Sequence, residues 1–547
     1  MNQKVNLQTK FDLCVIGSGP AGIITVLEYM RVNPGKKALL VEYGREGQNG
    51  KNALDDSIRV TNLVNHHAPY ECTNKGLGGS SLTWGGRCVM YDDIDFMDRP
   101  SVAGGCTWDM ALFNEVKEYT GAAAGYFECG DPLFDLDKIP EFKETTIAEN
   151  FKEGIVTDRI VERWSMPTRF GERYKNQLLE TPGLSLLQGY EARDFSSPDD
   201  TGNISSLTVR HIGTGECVKV KASHFVLAAG TQETTRILLR NKRVFDRLKT
   251  VPPALGKYYQ GHVFGKIASV IFSGDPKKTD YEFLRNPDGT YIRRRFQFST
   301  SYLLENDLLN TAIWLDNPLY YDPVHKNGAM SFMYLAMITP FLGKKLAPPA
   351  IAHSITKGKV NRVHKHLWNL VTGFPGSFVT PATIFYKRYC RKRKLPGIFL
   401  FSPKNNYALN FHSEQVPHAS NRMELGPDNE ELEIHYGLTD TDVNSVIKLH
   451  EALDKWLRDC DCGKLDYWFT KEELPDAIRK ISKDGIHQIG TTRIGDSPEE
   501  GVVDRDLKVW GTKNLHVCSS SAFPTSGQAN PTFFLGAFAV RLANHLK

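Results

Sequence analysis

The residues with the clearest chemical meaning are three closely spaced glycines near the start of the chain. Gly17, Gly19 and Gly22 lie at the end of the run FDLCVIGSGPAG, which begins at Phe11. The first glycine permits a sharp turn, the second lets the backbone approach a pyrophosphate, and the third lets a helix pack closely on a strand. The same run supplies three further candidate binding residues: Ser18, Pro20 and Ala21. This spacing favours a dinucleotide-binding loop over a glycine-rich turn in an ordinary α/β domain.

The elements needed to position such a loop are present on both sides of it. A helix-like run extends to about Arg31, and an apolar strand follows at 38–41 and ends in Glu42. Glu42 comes 20 residues after Gly22, the spacing expected for a carboxylate that binds a ribose hydroxyl. The sequence therefore predicts a βαβ unit with phosphates at the helix N-terminus.

Two later stretches have the composition of ligand-facing backbone. Residues 76–86 read GLGGSSLTWGG, and so many small residues allow a close approach to a ligand, although a flexible loop would have the same composition. Residues 224–230 form a buried strand that ends in Ala229 and Gly230 and returns the chain to the nucleotide domain. Residues 231–240 then predict a helix.

The last sixty residues carry the candidate acid–base chemistry. His487 can take a proton near neutral pH, whereas Asn530 is uncharged and can hold an oxygen by hydrogen bonding. Pro531 and Thr532 follow Asn530 and begin a predicted final helix, whose positive end would lie near whatever Asn530 faces. A lone histidine is usually structural, so the role of His487 depends on its context; His262, His412 and His516 lack such context.

The composition limits the classes of protein to which the chain can belong. The chain has 547 residues, 41% hydrophobic and 24% charged, which is typical of a globular protein of two or more domains. A net charge of +4 indicates no particular partner, and we expect no nucleic-acid partner. The ten cysteines form no zinc-like pairs, so we predict no metal site and reduced thiols. A polar start without a signal-peptide core, and the lack of a long apolar run, lead us to expect a cytoplasmic protein.

Pattern changes along the chain divide it into five segments. We expect parts of a cofactor-binding domain at 1–91, 181–260 and 485–547. Residues 92–180 are expected to be a mainly helical, substrate-side segment, and 261–484 a substrate-binding domain built on longer alternating strands, such as 293–302. The predicted fold is α/β: a Rossmann-like βαβ domain with a second α+β domain on an antiparallel sheet.

An unusual segment lies inside the second domain. Between Pro323 and Ser413 there is no Asp or Glu, whereas basic residues are plentiful and cluster at 387–394. Apolar runs such as 330–338 alternate with them. The segment could lie peripherally on an anionic membrane surface, act as a lid or form an oligomer contact; it could equally be a solvated basic face on a helical insertion.

Taken together, these stretches resemble the glucose–methanol–choline (GMC) oxidoreductases, flavoproteins that oxidise alcohols. The resemblance covers 17–42, 78–86, 225–230 and 487–547 closely, and the middle of the chain only loosely, at 414–417. It implies FAD as cofactor. The residues it places at the cofactor are Gly17, Ser18, Gly19, Pro20, Ala21, Gly22, Glu42, Gly79, Ser80, Ser81, Thr83, Trp84, Ala229, Gly230, Ser519, Ser520, Asn530, Pro531 and Thr532.

The resemblance also implies the reaction. It makes His487 and Asn530 the catalytic pair, with His487 as general base while a hydride leaves a CH–OH group for flavin N5. The His/Asn version is similar to pyranose oxidases, so a sugar or glycoside hydroxyl is expected; the basic, apolar insertion favours a lipid-linked alcohol instead. A GMC-like lyase with structural FAD, or a flavin-binding protein without turnover, stays open, as does the electron acceptor.

Two positions depart from family patterns. Thr83 stands where pyranose oxidases carry a flavin-linked histidine, so the resemblance implies FAD that is not covalently bound. Ser519 stands where many members have an aspartate, so a contact to the ribityl–phosphate region of the cofactor is expected to be rearranged.

Overall fold

The computed structural model describes residues 9–45, 57–102, 108–165, 168–339, 356 and 360–546. The strands in these ranges are β1 (Lys10–Ile16), β2 (Ala38–Glu42), β3 (Ile58–Val60), β4 (Arg87–Cys88), β5 (Val156–Thr157), β6 (Val161–Trp164), β7 (Leu184–Gln188), β8 (Tyr190–Phe195), β9 (Ser206–His211), β10 (Cys217–Leu227), β11 (Val263–Gly265), β12 (Ala268–Phe272), β13 (Leu284–Arg285), β14 (Tyr291–Arg294), β15 (Phe296–Phe298), β16 (Thr311–Asp316), β17 (Asn406–Ser413), β18 (Arg422–Leu425), β19 (Leu432–His435), β20 (Gly463–Tyr467) and β21 (Leu515–Val517). The α-helices are α1 (Pro20–Val32), α2 (Pro69–Cys72), α3 (Met110–Lys117), α4 (Thr120–Phe127), α5 (Phe170–Glu180), α6 (Gly230–Arg240), α7 (Thr300–Glu305), α8 (Gly328–Ile338), α9 (Val363–Thr372), α10 (Gly376–Phe385), α11 (Asp440–Asp459), α12 (Leu474–Ile481) and α13 (Thr532–His545).

The first sheet brings together strands that are far apart in the sequence. Its order is β7-β2-β1-β10-β9-β8, and β21 pairs with the far side of β10. Strands β7, β2, β1, β10 and β21 are parallel, and Ile16 is in register with both Val41 and Leu227, while Leu227 is in register with Val517. The carboxyl ends of these strands therefore meet at one edge of the sheet, where ligands bind in open α/β folds.

Helix α1 is enclosed on all sides, which explains its apolar sequence. Ile23, Ile24 and Val26 are fully buried, and α13 packs on the helix from outside the sheet. A Cβ on Gly536 of α13 would lie 3.4 Å from Ile24 Cδ1 of α1 and 2.3 Å from the ring of Phe127 in α4, so α13 packs closely on both helices. The predicted βαβ unit and the α/β fold are confirmed, and the C-terminal helix is part of the nucleotide-side core.

The second large sheet is antiparallel, with the order β20-β12-β17-β16-β15-β5 and β11 paired to β17. A four-stranded antiparallel sheet has the order β13-β14-β6-β4. The short strands β5 and β6, inside the segment expected to be mainly helical, pair with β15 and β14. The domain boundaries drawn from sequence stay predictions.

One predicted strand was too long. Residues 293–302 were expected to be a single strand, but β14 ends at Arg294, β15 spans only Phe296–Phe298, and α7 begins at Thr300. The reason is local: the side chain of Ser299 accepts a hydrogen bond from Tyr302 N and caps the helix. In its described part the basic segment contains helices α8, α9 and α10 and ends in strand β17; its residues 340–355 and 357–359, with Lys344, lie outside the described residues.

No helix within the described ranges combines the length and the apolar character needed to cross a bilayer.

Candidate active site

The glycine loop at the end of β1 is shaped by contacts that only glycine allows. Gly17 has φ +100°, and a Cβ there would lie 2.5 Å from the carbonyl oxygen of Ala228. A Cβ on Gly22 would lie 1.9 Å from Gly17 O, so α1 touches the loop directly. At Gly19, by contrast, a Cβ would meet no described atom within 4 Å. The free backbone there faces open space at the N-terminus of α1, where phosphates bind.

Glu42 ties the ends of β1 and β2 together. Its Oε2 accepts hydrogen bonds from Ser18 N (3.1 Å) and Ser18 Oγ (2.6 Å), and its Oε1 accepts one from Gly44 N (2.7 Å). Because a carboxylate oxygen has two lone pairs, Oε1 keeps one acceptor position for a hydroxyl of a bound ligand. Glu42 therefore holds the loop as well as facing the ligand.

The second small-residue stretch packs against the first. Residues 79–82 form a 3₁₀ turn, and a Cβ on Gly79 would lie 3.0 Å from the Cα of Gly19. Ser81 is buried and its Oγ donates to Gly78 O at 2.6 Å, which fixes the turn. The indole of Trp84 donates to Thr168 O at 2.9 Å.

These loops enclose a cavity of about 520 Å³. Almost all of the candidate residues predicted from sequence line it: Gly17, Ser18, Gly19, Pro20, Ala21, Glu42, Gly79, Ser80, Ser81, Thr83, Trp84, Ala229, Gly230, His487, Ser519, Ser520, Asn530, Pro531 and Thr532. Gly22 does not line the cavity; it packs beneath the loop. The cavity also reaches residues that sequence reasoning missed, among them Arg87, Tyr190 and Gln232.

The predicted catalytic pair is in direct contact. Asn530 Nδ2 lies 2.5 Å from His487 Nε2. Because an amide nitrogen can only donate, Nε2 accepts, and the neutral imidazole carries its proton on Nδ1. The lone pair that can take a substrate proton is thus on Nε2, inside the cavity. Asn530 Oδ1 is buried without a hydrogen-bond partner among the described residues.

Asp484 holds the backbone before His487, and sequence reasoning missed it. Its Oδ1 accepts from the backbone N–H of Gly485 (2.7 Å), Ile486 (2.9 Å) and His487 (3.2 Å). Its Oδ2 lies 3.4 Å from His487 Nδ1, on the side of the ring opposite Asn530, and this contact becomes an ion pair when His487 is protonated. Burial alone would raise the pKa of Asp484, but His487 and His262 outweigh it and hold this pKa well below its usual range.

Two buried histidines surround the same ring. His262 and His412 stack with ring centroids 4.0 Å apart, and each packs edge-on against His487, at 4.9 and 5.2 Å. Burial lowers the pKa of His262; burial and the two neighbouring imidazoles hold the pKa of His412 well below its usual range. Both rings are therefore neutral at pH 7 and add no charge beside the base. One ring nitrogen from each of His262, His412 and His487 lies within 4.8 Å of the others, a grouping that could hold a metal ion, and the absence of a metal site stays a prediction.

The serines after β21 belong to the same edge of the sheet. Ser519 Oγ accepts from Ser521 N at 3.2 Å, so this hydroxyl caps a short 3₁₀ turn. Ser520 Oγ donates to Gln488 O at 2.7 Å and links the turn to the segment that carries His487.

Part of the chain matches a known protein family, and the fold is similar to that of solved structures. Residues 417–539 match the GMC oxidoreductase family model. Over its whole length the fold is similar to pyridoxine 4-oxidase from Mesorbium loti (TM-score 0.53, 16% identity, 98% of this chain and 99% of that one). It is also similar to a formate oxidase (TM-score 0.52, 16% identity, 98% of each chain).

One curated relative matches over a short stretch. The chain is 39% identical over 62 residues to 2-methyl-1,2-propanediol dehydrogenase of Mycolicibacterium austroafricanum. This stretch covers 11% of this chain and 11% of that relative. The family model thus matches the C-terminal part of the chain, the structural neighbours show the fold, and no comparison supports the pyranose-oxidase-like subgroup.

The GMC family implies FAD, and the residues present fit this cofactor. Gly19 leaves open space where a pyrophosphate would approach, and Glu42 keeps one free acceptor position. The amide of Gln232, a cavity-lining side chain, is buried without a hydrogen-bond partner among the described residues, so a polar ligand edge would satisfy it.

Proposed function

We propose that the protein is an FAD-dependent oxidoreductase that removes a hydride from a CH–OH group. The observation that carries this proposal is the hydrogen bond between His487 and Asn530 inside the cavity that also holds the glycine loop. FAD, when bound, supplies the hydride acceptor at its N5, since no side chain can accept a hydride.

Residues of the chain take the proton of the substrate and hold the substrate in position. His487 Nε2 takes the proton of the substrate hydroxyl, because it is the unprotonated nitrogen of the ring. The Asn530 amide, now on Nε2, can turn its N–H to the substrate oxygen and hold it beside the base. Asp484, on the opposite side of the ring, stabilises the positive charge that His487 acquires; Asp484 acts as a positioning residue.

Thr83 supports FAD that is held without a covalent bond. Its hydroxyl accepts from Asn74 Nδ2 at 2.8 Å, and threonine offers no imidazole nitrogen for attachment. The proposed cofactor is therefore retained by the loops alone.

For the substrate we propose a sugar, glycoside or related hydroxyl, which the His/Asn pair favours through its similarity to pyranose oxidases. A lipid-linked or fatty alcohol is the second candidate, favoured by the apolar, basic insertion. The electron acceptor, oxygen or another molecule, is left open, and we propose a cytoplasmic location. The described residues include nine free cysteines, in keeping with a reducing compartment.

A lyase that keeps FAD as a structural part is the alternative. The experiment that separates the two is anaerobic mixing of the purified holoprotein with a panel of sugars, glycosides and aliphatic alcohols. An oxidoreductase bleaches the flavin absorbance with at least one donor. Cleavage of a candidate substrate with the flavin still oxidised would instead establish the lyase.

A further inference from the structure

The side chains that helices α9 and α10 bury against the protein are polar. In α9, His366 and Asn369 are buried: His366 Nδ1 lies 3.0 Å from Ser331 Oγ, and Asn369 Nδ2 donates to Pro323 O at 2.9 Å. In α10 the buried residue is Ser377. A helix on the surface of a globular protein in water normally buries its apolar side chains instead.

The apolar side chains of the same helices face outward. Among the described residues, nine large apolar side chains between positions 360 and 386 are exposed: Val360, Leu367, Trp368, Val371, Phe374, Phe378, Val379, Phe385 and Tyr386. Trp368 is 68% and Phe374 72% exposed. A monomeric protein in water rarely leaves so many large apolar side chains exposed together, so this surface is expected to be covered.

A basic cluster follows α10 directly. It consists of Lys387, Arg388, Arg391, Lys392, Arg393 and Lys394. Arg391, Lys392 and Lys394 are exposed, and none of the six forms an ion pair with a described residue. Because no acidic residue occurs between Pro323 and Ser413, the segment itself adds only positive charge, although Glu282 lies near Lys387, and Asp288 and Glu128 lie near Arg393.

We propose that this surface, the nine apolar side chains with the basic cluster, docks on an anionic lipid membrane. Trp and Phe enter the boundary between headgroups and acyl chains, and Lys and Arg bind anionic headgroups. A second copy of the chain fits less well, because a symmetric contact through this surface would bring two unpaired basic clusters together. Docking is peripheral, since no helix in the described ranges can cross the bilayer.

The basic cluster is held beside one wall of the cavity. Arg393 Nη1 donates to Glu128 O at 3.0 Å, and the carboxylate of Glu128 accepts from Thr168 Oγ1 at 2.7 Å. Thr168 O in turn accepts from Trp84, which lines the cavity. A docked molecule would therefore hold this side of the cavity near the lipid surface.

The test is cosedimentation of the full-length holoprotein with vesicles of phosphatidylcholine alone or with added phosphatidylserine. We expect binding to the anionic vesicles that weakens as salt is added, because exposed charges are screened. The emission of Trp368 should shift to the blue on binding. Trp368→Phe should remove that shift and keep the binding.

Two variants separate the parts of the surface. Arg391→Gln/Lys392→Gln/Lys394→Gln should lower the partition coefficient about 100-fold, since each cation near an anionic surface contributes about fivefold. Phe374→Ser/Phe378→Ser/Phe385→Ser should lower it by about tenfold or more, by removing inserted apolar area.

The chain offers matched controls. Lys219→Gln/Lys221→Gln removes exposed charges from β10, and Leu179→Ser removes a side chain that is 52% exposed on α5. Both should bind vesicles like the parent. Flavin bleaching by a water-soluble alcohol should be the same in all variants, so the result does not depend on the proposed function.

Three outcomes would overturn the proposal. The first is equal binding to neutral and anionic vesicles, and the second is unchanged binding in the charge variant. The third is a parent protein that does not bind vesicles but forms an oligomer, which the serine substitutions dissociate. The last would assign the surface to a second copy. If the serine variant does not fold, as judged by circular dichroism and flavin content, the charge variant decides.

Discussion

Asn530 donates a hydrogen bond of 2.5 Å to Nε2 of His487, across 43 residues of sequence. The contact gives the two side chains different roles in the proposed reaction. The imidazole has the lone pair that takes the proton, and the amide holds the substrate oxygen that gives up this proton. The pair also fixes which ring nitrogen reacts, with Asp484 facing the other one.

His487→Ala should therefore keep FAD and the fold but lower the rate of flavin reduction about a hundredfold to ten-thousandfold, the usual contribution of a positioned base. Reduction by the parent should require one deprotonated group, and the variant should lose that pH dependence. The measurement is anaerobic stopped-flow bleaching across pH. His211→Ala, on the surface beside Thr214, is the control. Near-parental reduction in His487→Ala would remove His487 from the mechanism.

Asn530→Ala should cost less, about fivefold in rate, because it removes one hydrogen bond of roughly 1 kcal/mol and leaves the base in place. Asn530→His should retain partial activity, since an imidazole can also hydrogen-bond the substrate oxygen. The same stopped-flow assay ranks the variants, and the ranking parent, Asn530→His, Asn530→Ala, His487→Ala is the expected order. A larger loss of flavin-reduction rate in Asn530→Ala than in His487→Ala would contradict the roles assigned to the two residues.

Gly19→Leu should abolish FAD retention while leaving the fold intact. The space around its Cβ is open, so the apoprotein can accommodate a side chain that would then occupy the pyrophosphate position. Gly125→Leu is a matched control, since Gly125 on α4 also has open space at Cβ but does not line the cavity. The ratio of flavin to protein absorbance after purification gives the result; stoichiometric FAD in Gly19→Leu would mean that the loop is not the phosphate site.

FAD should be released into the supernatant when the holoprotein is precipitated with acid, because Thr83 has no nitrogen to form a covalent link. Thr83→Ala should release it equally. Flavin absorbance in the supernatant and in the redissolved pellet is measured; colour that stays with the pellet would show a covalent bond at another residue.

Asp484→Asn should lower the free energy of unfolding by about 3–5 kcal/mol near pH 7, the usual cost of breaking a buried charged contact. A carboxylate with a lowered folded-state pKa stabilises the protein fully above its unfolded pKa of about 3.9, and this contribution is lost as the pH falls through the folded-state value. The difference between parent and variant should thus be constant above about pH 4 and shrink below it. Urea unfolding at several pH values measures it, with the exposed Asp137→Asn as control. A difference that stays constant down to pH 3 would count against the ionised carboxylate.

Local patterns were enough to predict the nucleotide side of the molecule. Gly17, Gly19 and Gly22 act through backbone contacts within one turn, and Glu42 follows at a spacing set by the βαβ unit itself. His487 and Asn530 were found only because the family resemblance supplied their pairing. Nothing in the sequence between them shows that they meet.

The parts that sequence reasoning missed depend on contacts between distant elements. His262 and His412 come from separate strands and meet His487 only when β11 and β17 pair, at positions where each looks like an ordinary histidine. Asp484 was passed over because its partners are backbone N–H groups. The outward apolar face of α9 and α10 could not be predicted from the local sequence, because the alternation of polar and apolar residues is the same whichever side is buried.

The parallel sheet has a consequence for how the protein is made. Strand β21 closes the sheet on β10, α13 covers α1, and Asn530 completes the cavity that the N-terminal loop begins. On the ribosome the glycine loop is synthesised well before its covering helix and the far wall of its cavity. Loading of the flavin is therefore expected to wait until α13 has been synthesised, and a nascent chain stalled before residue 515 should not acquire colour.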